Sequence, residues 1–272
     1  MTVTDFIHSA PRRFPRRRFV GLAILTAMAC FAVVGPWLIG VDPLKQDLRA
    51  ALSPPGDSYT LGADHLGRSM AARLAHAARL SLGFGLATVL TAAVPGVFLG
   101  LAAAWFGGFT DRLLSGLCDA VMALPGLLLV LIIAAFAPGA WWPLFLGLAL
   151  ALWVEYFRLV RTVVSRRLAA PDVEAARLFG FSATHIARRH LLPELWPALA
   201  TLMAFGFATV IVAISTLSFV GVGMRPPTPE WGSMMTELLP YHDEAPLQVL
   251  MPALCLFITV LGLQLSAAED GK

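Results

Sequence analysis

Two carboxylates stand inside otherwise uncharged apolar stretches: Asp119 in the run 113–137 and Glu155 near the end of the run 141–157. An ionised group in an apolar medium is costly, so it marks an ion pair, a relay or a ligand path. Glu155 precedes Arg158 by three residues, a helical spacing that predicts a local ion pair. Asp119 lies six residues before Pro125-Gly126, where a helix break is expected. It reads as a hydrogen-bonded packing contact, the alternative being a direct role toward a ligand. His185 and His190 are five residues apart, off one face of an α-helix, and read as polar surface residues. His65 and His76 carry the one open option for handling a metal. Cys30, Cys118 and Cys255 are far apart, each inside an apolar run, with no CxxC pair. They read as small hydrophobes. The sequence has no Gly-x4-Gly-Lys-Ser/Thr loop, no His-Glu-x-x-His and no Gly-x-Ser-x-Gly; its one Gly-Lys is Gly271-Lys272. The chain therefore reads as non-catalytic, with no metal or cofactor site of its own.

The elements that must hold these groups are apolar to an unusual degree. Of 272 residues 58% are hydrophobic and only 14% charged, and mean hydropathy is +0.75. Soluble domains carry nearer 25% charge. This excludes a water-soluble enzyme domain, a disordered tail and a nucleic-acid binder relying on phosphate contacts. Six runs are long enough to cross a bilayer, which takes ~20 residues: 19–40, 80–106, 113–137, 141–157, 196–222 and 247–268. The expected fold is all-α integral membrane, with both termini on one side. The first run exceeds the ~7–15 apolar residues of a signal peptide and no small-residue cleavage site closes it, so it reads as an uncleaved anchor. The domain organisation is a tail at 1–18, a membrane domain at 19–268 and a short tail at 269–272.

Charge sets the orientation. Arg12, Arg13, Arg16, Arg17 and Arg18 precede span one, and seven arginines lie in the segment 158–195. Both are expected in the cytoplasm. The segments 41–79 and 223–246 are then external, with His65 and His76 facing outside. In the first, Pro54-Pro55-Gly56-Asp57-Ser58 is a turn cluster. From Asp64 onward Leu66, Met70 and Leu74 recur at helical spacing, with Arg68 and Arg73 on other faces, which predicts an amphipathic helix against the membrane surface or the bundle. In the second, Pro226-Pro227-Thr228-Pro229-Glu230-Trp231-Gly232 is a stiff loop, with Trp231 suited to the interface or a partner. Gly83, Gly85, Gly96, Gly100 and Gly206 predict close helix packing; Pro95 and Pro125 predict kinks.

The cytoplasmic segment reads as a short helix opening at Pro171, with Asp172 and Glu174 in its first turn, and stopping at Gly180. A second helical stretch, 184–192, ends at Pro193. Ala175 and Ala176 leave one face flat, and Leu178-Phe179 form an apolar end. Such a helix suits a groove on another protein; the alternative is an ordinary amphipathic surface helix.

Glu174-Ala175-Ala176, three residues, Gly180, nine residues and His190-Leu191-Leu192-Pro193 resemble the EAA loop of ABC-importer permeases, with His190 where that family usually has Ile. Leu61-Gly62-Ala63-Asp64-His65-Leu66-Gly67-Arg68, Thr216-Leu217-Ser218-Phe219-Val220-Gly221-Val222-Gly223 and the Pro226 to Gly232 stretch resemble the dipeptide/oligopeptide/nickel (DppC/OppC/NikC-type) branch, as do Asp111-Arg112, Asp119 and Pro125. The resemblance covers about residues 20 to 265 and departs at the C-terminus, where relatives continue in a polar segment.

The resemblance implies a type I ABC-importer permease fold in the bacterial cytoplasmic (inner) membrane. It implies a second homologous permease subunit, two ABC ATPase subunits that bind ATP and Mg, and an extracytoplasmic substrate-binding protein, with no nucleic acid. Asp172, Glu174, Ala175, Ala176, Leu178, Phe179, Gly180, Leu192 and Pro193 would couple to the ATPase. Asp64, Gly67, Arg68, Pro227, Pro229, Glu230, Trp231 and Gly232 would form the external contact with the binding protein. The expected cargo is nickel, a metal chelate or a di- or oligopeptide, with a slight lean to nickel. The alternatives are an ion-gradient-driven secondary transporter, which would want matched broken repeats, and an intramembrane enzyme, for which no constellation is found.

Overall fold

The computed structural model describes residues 16–56 and 59–267. Arg12, Arg13, Asp57, Ser58 and the tail 269–272 lie outside the described residues. Among those described are ten α-helical segments and one isolated antiparallel bridge, Ala63 to Ser69. Helix α1 spans Arg16–Ile39 and α2 spans Met70–Phe106; α3 is Gly108–Met122 and α4 Gly126–Ala134. Helix α5 is Trp141–Leu168, α6 Pro171–Leu178, α7 Ala183–Ile186 and α8 Leu192–Phe219. Helices α9, Trp231–Leu238, and α10, Pro246–Ala267, are the last of the described helices. Five of the helical stretches are long and apolar enough to cross a membrane, six if the bent pair α3–α4 counts as one span.

Two boundaries differ from expectation, at α2 and at Pro193, while the break expected near Pro125 is present. Helix α2 starts at Met70, capped by the Ser69 hydroxyl, which accepts from the Ala72 amide at 3.4 Å. Its 37 residues rise ~55 Å at 1.5 Å each, well beyond a ~30 Å hydrocarbon core. The last ten residues of the expected external loop are thus the outer turns of span two, and Leu66 lies outside the helix. Span three is broken: α3 and α4 meet at 74°, because Pro125 sits extended between them, at φ −54° and ψ 128°. The second cytoplasmic stretch does not stop at Pro193. Helix α7 passes through a π-helical turn, Ala187–Leu191, into α8 without a break. A proline ring clashes with the carbonyl four residues back, and the wider π turn immediately before it opens the space.

The bundle packs through its glycines. A Cβ on Gly96 would lie 2.6 Å from the Trp153 carbonyl oxygen and one on Gly100 2.8 Å from that of Phe157, so α2 meets the backbone of α5 directly. Gly206 of α8 would meet the Tyr156 hydroxyl at 2.4 Å, and Gly85 the Phe207 ring at 2.4 Å. Gly83 meets nothing and lines a cavity instead. One core joins Val89, Leu152, Phe157 and Ile214 from α2, α5 and α8. A second joins Met70, Leu74, Trp231, Met234 and Leu263 from α2, α9 and α10. The outer surface remains apolar: Phe19, Trp37, Leu38, Phe98 and Phe136 are all exposed, as a surface covered by lipid or another subunit would be.

Candidate functional site

Helix α6 hangs between α5 and α7 on the side expected to face the cytoplasm. Its stop is a Schellman turn: Gly180 takes φ +78°, the Phe181 amide donates to the Ala176 carbonyl at 3.1 Å and the Gly180 amide to that of Arg177 at 3.0 Å. Asp172 is turned back onto the bundle. Arg167 at the end of α5 holds it with two bonds, 3.0 and 2.6 Å, and His190 Nδ1 lies 3.0 Å from the same carboxylate. Solvent loss pushes the Asp172 carboxyl up, but His190 and Arg167 outweigh it and hold it below the ordinary range. Arg167 also reaches Glu194 at 3.2 Å, tying α6 to the start of α8.

Beneath α6, Val173 and Ala176 pack on Ile186, Trp105 and Leu168, and the Arg177 guanidinium lies 5.8 Å from the Trp105 ring centre. The small Ala176 thus serves the inner face, correcting the flat outer face expected of it, and Ala175 is half-buried. What projects outward is Glu174, Leu178 at 85% exposure, Phe179 at 82% and Gly180. Leu192 and Pro193 are exposed one helix further on. The residue that departs from the EAA pattern, His190, meets Asp172 instead of making an apolar contact. The π turn also brings residues five apart onto one side, so His185 and His190 lie 6.4 Å apart, ring to ring, rather than on separate faces. His185 stacks on Phe181 at 4.5 Å.

The intramembrane charges pair differently from expectation. Arg158 bonds Asp119 at 2.7 Å across to α3, not Glu155 on its own helix. Arg161 holds Asp111 beside it, one bond being 2.7 Å. Because α3 and α5 run antiparallel, the two arginines form successive rungs between them. Glu155 has no hydrogen-bond partner among the described residues and faces a cavity of about 390 Å³ bounded by Pro125, Leu127, Leu152 and Thr209. Arg161 was not singled out from the sequence, since its partner is fifty residues away.

At the end expected to face outside, Asp64, Arg68, Arg73 and Glu237 form a buried square of alternating charge. Asp64 Oδ2 lies 2.5 Å from Arg68 Nε and 2.5 Å from Arg73 Nη1; Glu237 Oε2 lies 2.8 and 2.6 Å from the same two guanidiniums. Asp64 Oδ1 also accepts the amides of Leu66 and Arg68, each at 2.9 Å. Burial raises the Asp64 carboxyl, but the Arg68 amide and both guanidiniums together hold it below the ordinary range. Gly67 takes φ +72°, and a Cβ there would sit 1.7 Å from the Asp47 carbonyl oxygen, so this turn admits only glycine. Glu230 caps α9, accepting the Ser233 amide at 2.9 Å and the Ser215 hydroxyl at 2.8 Å. Gly232 lies against the Ser215 backbone, where a Cβ would meet the carbonyl oxygen at 2.0 Å.

Asp64, Arg68, Glu230 and Trp231 are therefore inside the chain. This corrects their expected role as external contacts: polar residues in this stretch satisfy one another and Trp231 fills the core. Pro227 is exposed and Pro229 half-buried. Arg73 and Glu237 are the missed members. Arg73 had a signal, nine residues past Asp64; Glu237 had none, being 164 residues from Arg73. His65 stacks on Tyr241 at 5.3 Å, and its ligand atom lies within 4.8 Å of those of Asp64 and Glu237. Both carboxylates are already engaged by guanidinium groups, a donor set that repels a metal cation.

Residues 96–268 match the family described as binding-protein-dependent transport system inner membrane component. The chain is 35% identical over 260 residues to a putative peptide transport system permease protein of Brucella suis biovar 1, covering 93% of this chain and 86% of that protein. It is 34% identical over 252 residues to the di/tripeptide transport system permease protein DppC of Pseudomonas aeruginosa, covering 90% and 83%. Among solved structures, it resembles a chain of the inward-facing MetNI methionine ABC transporter with a TM-score of 0.51 and 19% identity, covering 69% of this chain and 91% of that one.

Proposed function

Because the chain belongs to the binding-protein-dependent transport system inner membrane component family and is a multi-pass ABC-importer permease, we propose that it forms half of a pathway carrying di- or oligopeptides across a bacterial inner membrane. The peptide cargo is taken from the printed function of the relatives. The nickel alternative finds no support in the outer acidic residues, whose carboxylates already face arginines. A second permease would complete the pathway, a binding protein would deliver the peptide outside, and two ATPases would bind ATP and Mg at the cytoplasmic side.

The observation that carries the coupling role is the two-sidedness of α6. One side is tied to α2, α5 and α7 through Asp172, Val173 and Ala176, and Arg167, which holds Asp172, also reaches Glu194 of α8; the other side leaves Leu178 and Phe179 uncovered. A displacement applied to Leu178 and Phe179 by a closing ATPase passes through Arg167 and Glu194 to both spans at once. Cargo then meets alternate openings as the spans tilt, the bend at Pro125 supplying a compliant element.

The test is co-expression with the ATPases and partner permease. Glu174→Lys and Phe179→Asp are expected to leave membrane insertion intact, to cut ATPase co-purification about tenfold or more, as loss of an interface anchor does, and to stop peptide uptake. Normal co-purification and uptake in both variants would overturn the coupling role.

A further inference from the structure

A cavity of about 670 Å³ opens at the end of the bundle expected to face outside, walled by no residue of α6 or of the buried charge square. Three separate parts of the chain wall it: His76, Arg79 and Phe84 of α2, Trp141 at the start of α5, and Met224 and Arg225 before α9. The volume suits a small molecule, within the ~300–1,000 Å³ of ligand pockets. Its charge is one-sided. Arg68 and Arg73 are neutralised by Asp64 and Glu237, whereas Arg79 and Arg225 have no carboxylate within 4.0 Å among the described residues. His76 commits Nδ1 to the Ala72 carbonyl at 2.9 Å, leaving Nε2 as its second polar atom. The Arg225 stem crosses the backbone at Gly139, where a Cβ would lie 2.8 Å from its Cδ. A bare glycine therefore lets Arg225 lie against the cavity wall.

Two unpaired guanidiniums beside Phe84 and Trp141 are the chemistry of a carboxylate joined to an apolar body: forked donors for the oxygens, ring faces for the side chain. We infer that this cavity is a subsite for the terminal carboxylate of the transported peptide, occupied after release outside and before passage inward. This rests on the peptide-importer reading above. Low-dielectric walls with one sign of charge also concentrate an anion at the mouth. A protein's acidic surface would find the same charges, but the concave aromatic wall favours the small ligand.

The complete transporter, with partner permease, ATPases and binding protein, is reconstituted in proteoliposomes, and labelled dipeptide uptake is followed at saturating loaded binding protein. Arg79→Gln with Arg225→Gln is expected to lower the saturated rate about tenfold or more, the scale of losing a hydrogen-bonded substrate group. The half-saturating concentration of binding protein and its stimulation of ATP hydrolysis stay within about twofold, and Arg79→Lys with Arg225→Lys recovers part of the rate by keeping the charge. An unchanged saturated rate overturns the subsite. A shift confined to the half-saturating concentration also overturns it, in favour of docking by an acidic protein surface. Should the Gln variant fail to assemble, equilibrium binding of the dipeptide and its C-terminal amide to the wild-type permease–ATPase complex decides. Preference for the free acid by about tenfold supports the subsite, and equal binding overturns it. Wild-type vesicles that hydrolyse ATP in response to binding protein yet accumulate no dipeptide overturn the peptide reading, and the subsite with it.

Discussion

Asp64 sits between two guanidiniums in the interior, so removing its charge leaves Arg68 and Arg73 facing Glu237 alone. Breaking a buried pair in this way costs about 3–5 kcal/mol. Asp64→Asn should lower the unfolding midpoint in mild detergent accordingly. Combining it with Arg73→Gln should cost about 1–3 kcal/mol less than the two singly, because the second change removes a charge already stranded. Acid acts here in two steps. Burial lowers the His65 pKa, against the opposing pull of the Asp64 charge. Its contribution is therefore complete above the ordinary histidine value of ~6.5 and is lost as pH falls through the lowered folded value. Asp64, also depressed, gives way only below the ordinary carboxylate value of ~3.9. Amide protection factors at α9, corrected for the intrinsic exchange rate, should thus fall modestly between about pH 6.5 and the carboxylate range and sharply only in stronger acid. A protection pattern flat across the first interval would count against the half-buried His65–Tyr241 stack.

Helices in this chain touch where glycine lets backbones close up, and no side chain can be added there without moving a partner's main chain. Gly96→Val should therefore separate α2 from α5 at the Trp153 carbonyl, at a cost of about 1–3 kcal/mol. The same change at Gly83, which meets nothing, should be near neutral; comparing the two by thermal unfolding separates packing from propensity. At α6 the demand is conformational. Gly180→Val forces a β-branched residue to φ +78°, costing ~1–2 kcal/mol locally. Since Gly180 touches nothing around it, that variant should insert normally yet lose ATPase co-purification by misaiming Phe179. These element-scale features were half legible beforehand. Spacing located α6, its acidic first turn and its glycine stop. It did not reveal that Asp172 and Ala176 face inward, because which side a short helix buries depends on Trp105, distant in the chain, together with Ile186.

For the whole molecule, the arginine bias and six apolar runs predict that a cysteine placed at Phe179 is labelled only from the cytoplasmic side and one at Asp243 only from outside. Reversal of either would undo the orientation and the coupling proposal together. Composition and apolar run length alone determined that this is a multi-span helical membrane protein, since a chain so poor in charge cannot supply a soluble surface and each span is a local matter of length and hydropathy. The EAA spacing, with three further stretches in order along the chain, pointed to the family for a similar reason: a short helix, its stop and the following turn are neighbours in sequence. Only the tertiary structure decided the partners. It joined Arg158 to Asp119 rather than to Glu155, gathered Arg73 and Glu237 around Asp64, turned Trp231 into the core and brought Arg79 and Arg225 to a shared cavity. Charges in an apolar bundle take whichever counter-ion the packing brings nearest, and that packing is written in contacts between residues tens to hundreds of positions apart.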